Sequence, residues 1–172
     1  DAVAALESGR IETAIVGGVN LLLSPFPFVG FSAASMLSPE GLCRPFDANG
    51  QGYVRAEGSV AFILQRRDAR TPAARRRYCS VVATGTNSDG RTVGVALPSS
   101  VAQAQLLKEV YSGNGIDPND LVFVEAHGTG TRAGDPVEAK ALGESLGKRR
   151  SQPLPIGSVK SNIGHLEPVA GL

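Results

Sequence analysis

Two short apolar runs, each ending in a loop that carries a histidine beside glycine, constrain the fold of this chain most. The first run covers residues 121–124 and leads into His127, and the second covers residues 155–159 and leads into His165. The segment between the runs has the pattern of a helix, so the sequence predicts a βαβ unit with parallel strands. Parallel strands end at one edge of a sheet, where ligands bind in open α/β sheets. The only two histidines of the chain are therefore expected to share a site.

The helix between the two runs is expected to begin with a capping box and to end near residue 146. Asp135 would cap the helix, Pro136 would take its first position, and Glu138 would reciprocate the cap. Glu138 has a second interpretation, because it could instead pair with Lys160 across the histidine site and orient it. Both interpretations stay open at this stage.

The remaining segments predict a mixed α/β protein. The all-apolar run at residues 13–16 is typical of a strand buried on both faces. Residues 37–58 are rich in turn-forming residues, and the basic stretch at residues 66–77 is expected to be a solvated connection. Helices are expected over residues 1–8 and from a cap at Ser99 or Ser100 to about residue 114, and further strands over residues 59–65 and 80–85.

Composition excludes several classes of function. A net charge of +1 and an aromatic content of 5% without tryptophan give no footprint for nucleic acid. No apolar run reaches the length of about 18 residues that spans a bilayer. Cys43 and Cys79 form no paired motif, which indicates a reducing, cytoplasmic setting. The 172 residues begin with Asp1 and stop without a cap, so we expect an excerpt of a longer protein.

A nucleotide-binding loop is the first alternative for the glycine-rich segment. Residues 128–134 resemble a GxGxxG turn with one extra residue, but the acidic ribose ligand expected about 20 residues later is absent. Lys160 stands at that strand end instead. Residues 143–148 have the wrong spacing for a lysine-bearing phosphate loop. Neither pattern supports nucleotide binding.

A metal centre and acid–base chemistry are the other two alternatives for the histidines. His127, Asp135 and His165 carry ligand atoms, but they lack ligand spacing on one helix face, so no metal is expected. Two imidazoles side by side in glycine-bounded loops instead favour a joint acid–base or oxyanion role. No cofactor is expected to bind directly.

The histidine segments resemble the two histidine motifs of β-ketoacyl synthase domains. The resemblance is closest to type I polyketide synthases and the related animal-type fatty acid synthases. It rests on HGTGT at 127–131, GDPVE at 134–138 and GSVKSNIGH at 157–165. Upstream segments agree along essentially the whole chain: AIVGGVN at 14–20, MLSPEG at 36–41, RPFD at 44–47, GYVRAEG at 52–58 and TNSDG at 86–90.

This resemblance implies part of a thiolase-like α/β fold and a condensing activity. Residues 1 to about 90 would end the first half of the domain, and residues from about 91 to 172 would start the second half. The family catalyses decarboxylative Claisen condensation for polyketide or fatty acid synthesis. A cysteine holds an acyl group as a thioester, a malonyl-type extender on a carrier protein loses carbon dioxide, and the resulting carbanion attacks the thioester.

The resemblance also implies roles for four residues of the candidate site. His127 and His165 would donate N–H groups to the enolate oxygen, where fixed donors stabilise developing negative charge. Lys160 together with Glu138 would hold the site in register.

Binding of the carrier's arm is implied for two hydroxyl residues. Thr129 and Thr131 match positions that hydrogen-bond 4'-phosphopantetheine, whose amides suit hydroxyl partners. The expected partners are the acyl carrier protein that bears this arm, an acyltransferase domain of the same polypeptide and a second copy of the chain in a cytoplasmic homodimer.

The nucleophile of the family is expected to lie before the first residue of this chain. Cys43 and Cys79 match no nucleophile motif, so the 172 residues alone are expected to be inactive. Three alternatives follow from the same resemblance: a decarboxylating loading domain, a catalytically silent ketosynthase-like domain, and a non-catalytic module for dimerisation or carrier docking.

Overall fold

The computed structural model describes residues 1–67, 76–92, 94 and 97–172. The centre of the expected basic connection, residues 68–75, lies outside the described residues. The helices are α1 (Ala2–Glu7), α2 (Phe26–Ala33), α3 (Ser100–Gly113), α4 (Gly134–Ser145) and α5 (Lys160–Ile163). The strands are β1 (Thr13–Asn20), β2 (Gly58–Gln65), β3 (Val124–Glu125) and β4 (Ile156–Gly157). Short 3-10 turns cover Pro118–Asp120, Gly147–Arg149 and Glu167–Val169.

Strands β1 and β2 form an antiparallel ladder with Thr13 opposite Gln65 and Asn20 opposite Gly58. Burial alternates along β1, and Ile15 is 77% exposed. The prediction of a strand buried on both faces is therefore wrong for this chain. Helix α1 and the turn Glu167–Val169 pack against β1, which covers one face of the ladder.

Strand β3 precedes α4 in the chain and β4 follows it. The two strands pair in parallel, which confirms the predicted βαβ unit. Val124 lies opposite Ile156, and the main-chain N–H of Ala126 extends the ladder by donating to the carbonyl of Gly157 at 2.8 Å. Both strands are shorter than the apolar runs. The second ends early because the N–H of Val159 donates to the Glu125 side chain at 2.7 Å instead of continuing the ladder.

Helix α3 begins as predicted, because the Ser99 hydroxyl accepts a hydrogen bond from the N–H of Ala102 at 3.2 Å. It packs against α4 over a small core. This core consists of buried Ala126, Leu142 and Leu146, with Leu107, Tyr111, Leu121, Val124 and Leu154 packed around it.

Residues 80–85 do not form the strand expected there, since no ladder partner pairs with this segment among the described residues. The side chains of Leu106 and Val110 on α3 fill the space beside Gly85 instead. Within the described residues, no helix is long and apolar enough to cross a bilayer.

Candidate active site

The loop after β3, which carries His127, is held by a carboxylate from α4. Oε1 of Glu138 accepts a hydrogen bond from the N–H of His127 at 2.7 Å, and Oε2 accepts one from the N–H of Gly128 at 2.8 Å. The predicted capping box is therefore wrong. Helix α4 begins at Gly134, its N-cap residue is Ala133 rather than Asp135, and the Glu138 carboxylate accepts hydrogen bonds from the loop instead of from the helix start.

Asp135 holds the same loop from a second side. Its Oδ1 accepts from the N–H of Gly130 at 3.1 Å, and its Oδ2 accepts from the N–H of Phe46 at 2.6 Å. The side chain is buried and joins two chain segments far apart in sequence. Sequence reasoning assigned Asp135 to the helix cap, and its spacing relative to Pro136 gave no sign of this contact.

Glycine is required where the histidine loop crosses neighbouring backbone. Gly128 and Gly130 have φ values of +42° and +76°, which side chains rarely adopt. A Cβ on Gly130 would lie 2.8 Å from the main-chain nitrogen of Arg44, and one on Gly128 would lie 2.7 Å from Cβ of Ser158. The loop can approach these segments only because no side chain intervenes.

His165 is fixed through both its backbone and its ring. Its N–H donates to the carbonyl of Val54 at 2.7 Å, and its carbonyl accepts from the N–H of Ala56 at 3.0 Å. Nδ1 of the ring accepts a hydrogen bond from the main-chain N–H of Glu167 at 2.9 Å. An accepting Nδ1 carries no proton, so this bond assigns the neutral tautomer with its proton on Nε2.

The two imidazoles lie next to each other, as expected from the predicted βαβ unit. The rings of His127 and His165 stand edge to face with centroids 5.2 Å apart, and the ring of Tyr53 lies 4.9 Å from that of His165. Burial, followed by the fields of His127 and Lys160, lowers the pKa of His165 to about 4. Desolvation and then Lys160 also lower the pKa of His127. Both rings are therefore neutral at pH 7.

Lys160 begins α5 and is buried. Burial lowers its pKa, while the carboxylates of Glu125 and Glu138 oppose this shift. No ion pair within 4.0 Å joins Lys160 to Glu138, although the structure describes both residues. The expected direct pairing across the site is thus not formed. The two charges act on each other only through a longer-range field.

Arg55 and Glu167 form a two-pronged ion pair behind His165. Nε and one terminal nitrogen of Arg55 donate to the two carboxylate oxygens at 2.6 and 2.8 Å, and the Arg55 side chain is only 6% exposed. The guanidinium lies over the rings of Phe28 and Phe31, 4.6 and 5.2 Å from their centroids. Sequence reasoning did not single out either member of this pair.

A cavity of about 900 Å³ opens beside the two histidines. His127, His165, Tyr53, Thr129 and Thr131 are among the residues that line it. The hydroxyls of Thr129 and Thr131 lie 3.1 Å apart, and Thr131 also accepts from the N–H of Gly134 at 3.1 Å. Two imidazoles and two threonines with neighbouring hydroxyls therefore belong to the lining of one cavity.

The two cysteines differ in their surroundings. Cys43 is buried and its sulfur accepts a hydrogen bond from the N–H of Val54 at 3.1 Å, whereas Cys79 is exposed. Neither is among the described residues that line the cavity. In the part of the chain that the structure describes, no group of three histidine, cysteine or acidic residues is placed to hold a metal ion.

Comparison with known proteins finds relatives that cover essentially the whole chain. The family model described as the N-terminal domain of β-ketoacyl synthase matches residues 1–70, and the model of its C-terminal domain matches residues 78–172. A fatty acid synthase of Anser anser anser is 44% identical over 173 aligned positions, which cover all of this chain and 48% of that protein. A hybrid PKS-NRPS synthetase of Aspergillus niger is 47% identical over 94% of this chain and 4% of its own length.

A solved structure shows the same fold. The ketosynthase from module 6 of the bacillaene synthase of Bacillus subtilis superimposes with a TM-score of 0.91 and 40% identity, covering 99% of this chain and 31% of that one. The predicted thiolase-like α/β fold is thus confirmed, and the chain spans less than half the length of these relatives. The chain belongs to the β-ketoacyl synthase family.

Proposed function

We propose that this chain supplies the histidine-bearing part of a β-ketoacyl synthase that catalyses decarboxylative Claisen condensation. The substrates are an enzyme-bound acyl thioester and a malonyl-type thioester on a carrier. One observation carries the proposal: two neutral imidazoles stand 5.2 Å apart on the wall of one cavity. Family membership supports the same reaction.

The first step is loss of carbon dioxide from the malonyl thioester. The bond to the carboxylate carbon breaks, and its electron pair moves into the adjacent thioester as an enolate with negative charge on oxygen. Nε2–H of His165, together with an N–H of His127, stabilises this oxygen without reorganisation. A neutral imidazole donates a hydrogen bond without being acidic enough to quench the carbanion, so the low pKa of His165 suits this step.

The second step forms the new carbon–carbon bond. The enolate carbon attacks the carbonyl of the acyl thioester, the carbon–sulfur bond breaks, and cysteine leaves as a thiolate. We propose that this cysteine lies outside the 172 residues. Cys43 has its sulfur engaged by the N–H of Val54, and Cys79 does not line the cavity.

Lys160 and Glu138 support the two donors in different ways. Burial is the main cause that lowers the pKa of both imidazoles, and the positive field of Lys160 adds to it. Glu138 sets the position of His127 through its two main-chain hydrogen bonds. Both residues act on the histidines without lining the cavity.

The acyl chain is proposed to arrive on the phosphopantetheine arm of an acyl carrier protein, with Thr129 and Thr131 hydrogen-bonding that arm. The cavity volume of about 900 Å³ lies within the range of small-molecule sites. An acyltransferase domain on the same polypeptide, a homodimer and a cytoplasmic location belong to the same proposal. So does the division of the chain near residue 90 into two halves of the domain.

The proposal is tested with His127→Ala and His165→Ala in the complete ketosynthase domain that contains these residues. Decarboxylation of a malonyl thioester and condensation are measured separately. Each variant should lose at least about 100-fold in decarboxylation. Wild-type decarboxylation in a folded double variant would refute the proposal. A parent domain that decarboxylates but never condenses would point to a loading domain instead.

A further inference from the structure

The ion pair between Arg55 and Glu167 lies behind the candidate site and does not line the cavity. Arg55 is buried and Glu167 is half-buried, and because taking charges out of water is costly, such a pair adds little stability relative to apolar residues of the same volume. The Arg55 hydrogen bond is also the main reason why the pKa of Glu167 is lowered. Because the pair adds little stability, a role in positioning other groups explains its presence better.

Glu167 links the ion pair to the site through its own backbone. Its carboxylate receives the two-pronged contact from Arg55, and its main-chain N–H donates to Nδ1 of His165. Its φ of +48° is uncommon for a residue other than glycine, and such a conformation persists only where the surroundings impose it. The contact of its carboxylate with Arg55 is one such constraint.

Arg55 is itself tied to His165 at a second point. The two residues face each other in a parallel bridge, which the hydrogen bonds of His165 with Val54 and Ala56 form. The guanidinium also lies over two aromatic rings, and this contact restrains it further. Arg55, Glu167 and His165 thus contact one another in a closed triangle. Arg55 meets His165 through the backbone bridge and Glu167 through side chains, and the N–H of Glu167 meets the ring of His165.

We propose that Arg55 is a positioning residue for His165. Through Glu167 it holds a main-chain N–H against Nδ1, and this fixes Nε2–H as the donor that faces the enolate oxygen. The inference rests on the proposed function, because it assumes that His165 is such a donor. A planar, two-pronged contact suits this task better than the point charge of a lysine.

Loss of Arg55 should shift the titration of His165 in a defined direction. The charged or titratable groups that act on this ring are His127, Lys160 and Glu167, with Tyr53 packed against it. An N–H donated to Nδ1 favours the neutral ring, so its loss raises the pKa of His165. An unpaired Glu167 carboxylate raises the pKa as well. Both effects therefore have the same sign.

The test compares Arg55→Met and Arg55→Lys with the parent in the complete ketosynthase domain, using a malonyl thioester of N-acetylcysteamine. We expect kcat for decarboxylation to fall between about 10-fold and 100-fold in Arg55→Met, with KM unchanged. The acid limb of its pH profile should move to higher pH. Arg55→Lys should recover part of the rate. The control is Glu40→Gln, which removes an exposed carboxylate paired with Arg44 at 2.8 Å and should change nothing.

The inference is overturned if folded Arg55→Met keeps the parent kcat and acid limb. An inactive His165→Ala variant in the same assay would show that the proposed function holds even when the inference about Arg55 fails. An active His165→Ala variant would instead contradict the proposed function itself. Arg55→Met leaves the half-buried Glu167 carboxylate without its ion-pair partner and could prevent folding. The double variant Arg55→Met with Glu167→Gln removes both charges, and a parent-like kcat in this variant would equally overturn the inference.

Discussion

The carboxylate of Glu138 accepts a hydrogen bond from the main-chain N–H of His127 at 2.7 Å. Its other oxygen accepts from the next N–H of the loop at 2.8 Å. A side chain of α4 thus satisfies two successive donors that no strand or helix could pair. The position of the first imidazole is therefore set by a helix residue 11 positions later in the chain.

Glu138→Gln should separate loop positioning from substrate binding. The amide keeps one oxygen acceptor but turns an NH₂ group toward the second N–H, so one hydrogen bond to a charged group is lost, worth about 1.5–3 kcal/mol. We expect kcat for decarboxylation to fall roughly 10-fold to 100-fold with a small change in KM. Glu144→Gln, an exposed position on the same helix, is the control. An unchanged kcat in Glu138→Gln would argue against the positioning role.

Gly130→Ala should destabilise the protein, whereas Gly143→Ala should not. At Gly130, φ is +76° and a Cβ would lie 2.8 Å from the Arg44 nitrogen, so backbone must move. At Gly143, inside α4, a Cβ would meet nothing within 4 Å, and alanine gains roughly 0.5–1 kcal/mol in a helix. Urea unfolding of both variants measures the contrast. Equal stabilities would contradict the close approach at the histidine loop.

The convergence of the two histidines could be predicted from sequence because it depends on local patterns. Apolar runs, a helix between them and glycine after each strand together dictate a βαβ unit. The serine cap of α3 was predictable for the same reason, since Ser99 bonds an N–H only three residues away. These features need no knowledge of the rest of the fold.

The contacts of the acidic residues could not be predicted, because they depend on segments distant in sequence. The spacing of Asp135 and Glu138 fits a capping box. Both carboxylates instead accept hydrogen bonds from main-chain N–H groups of the loop after β3, which have no partner in a strand or helix. The predictions for strand β1 and for residues 80–85 were wrong for a related reason. What covers a strand, and whether a partner strand pairs with it, is decided by tertiary contacts that local patterns do not encode.

Stability should fall as the pH is lowered through the titration of His165. Its pKa in the folded protein is about 4, below its ordinary value near 6.5, so the unfolded chain binds the extra proton between these values. The stabilising contribution of the neutral ring is complete above pH 6.5 and is lost as the pH falls toward 4. Urea unfolding from pH 7 to pH 5 measures this slope. His165→Gln should flatten it, and an equal slope in that variant would assign the effect to other groups.

Lys160→Met should move the acid limb of decarboxylation to higher pH. The Lys160 charge lowers the pKa of both imidazoles, so its removal raises both, and the histidines protonate at higher pH. Methionine fills a similar volume and leaves no buried charge. The measurement is a pH profile of kcat, with Lys140→Met on the exposed side of α4 as the control. A limb that stays in place would mean that the histidines stay neutral without Lys160.

Thr129→Val should weaken binding of the carrier's arm while leaving the chemical step intact. Valine keeps the shape of this buried side chain but removes the hydroxyl that lies 3.1 Å from that of Thr131 on the cavity wall. A site that loses one neutral hydrogen bond to its ligand weakens by about 0.5–1.5 kcal/mol, so KM for a pantetheine thioester should rise roughly 2-fold to 10-fold. Thr13→Val, at an exposed position of β1, controls for the substitution itself. If kcat fell and KM stayed constant, Thr129 would instead serve the histidine loop, because only an interaction made in the transition state changes kcat alone.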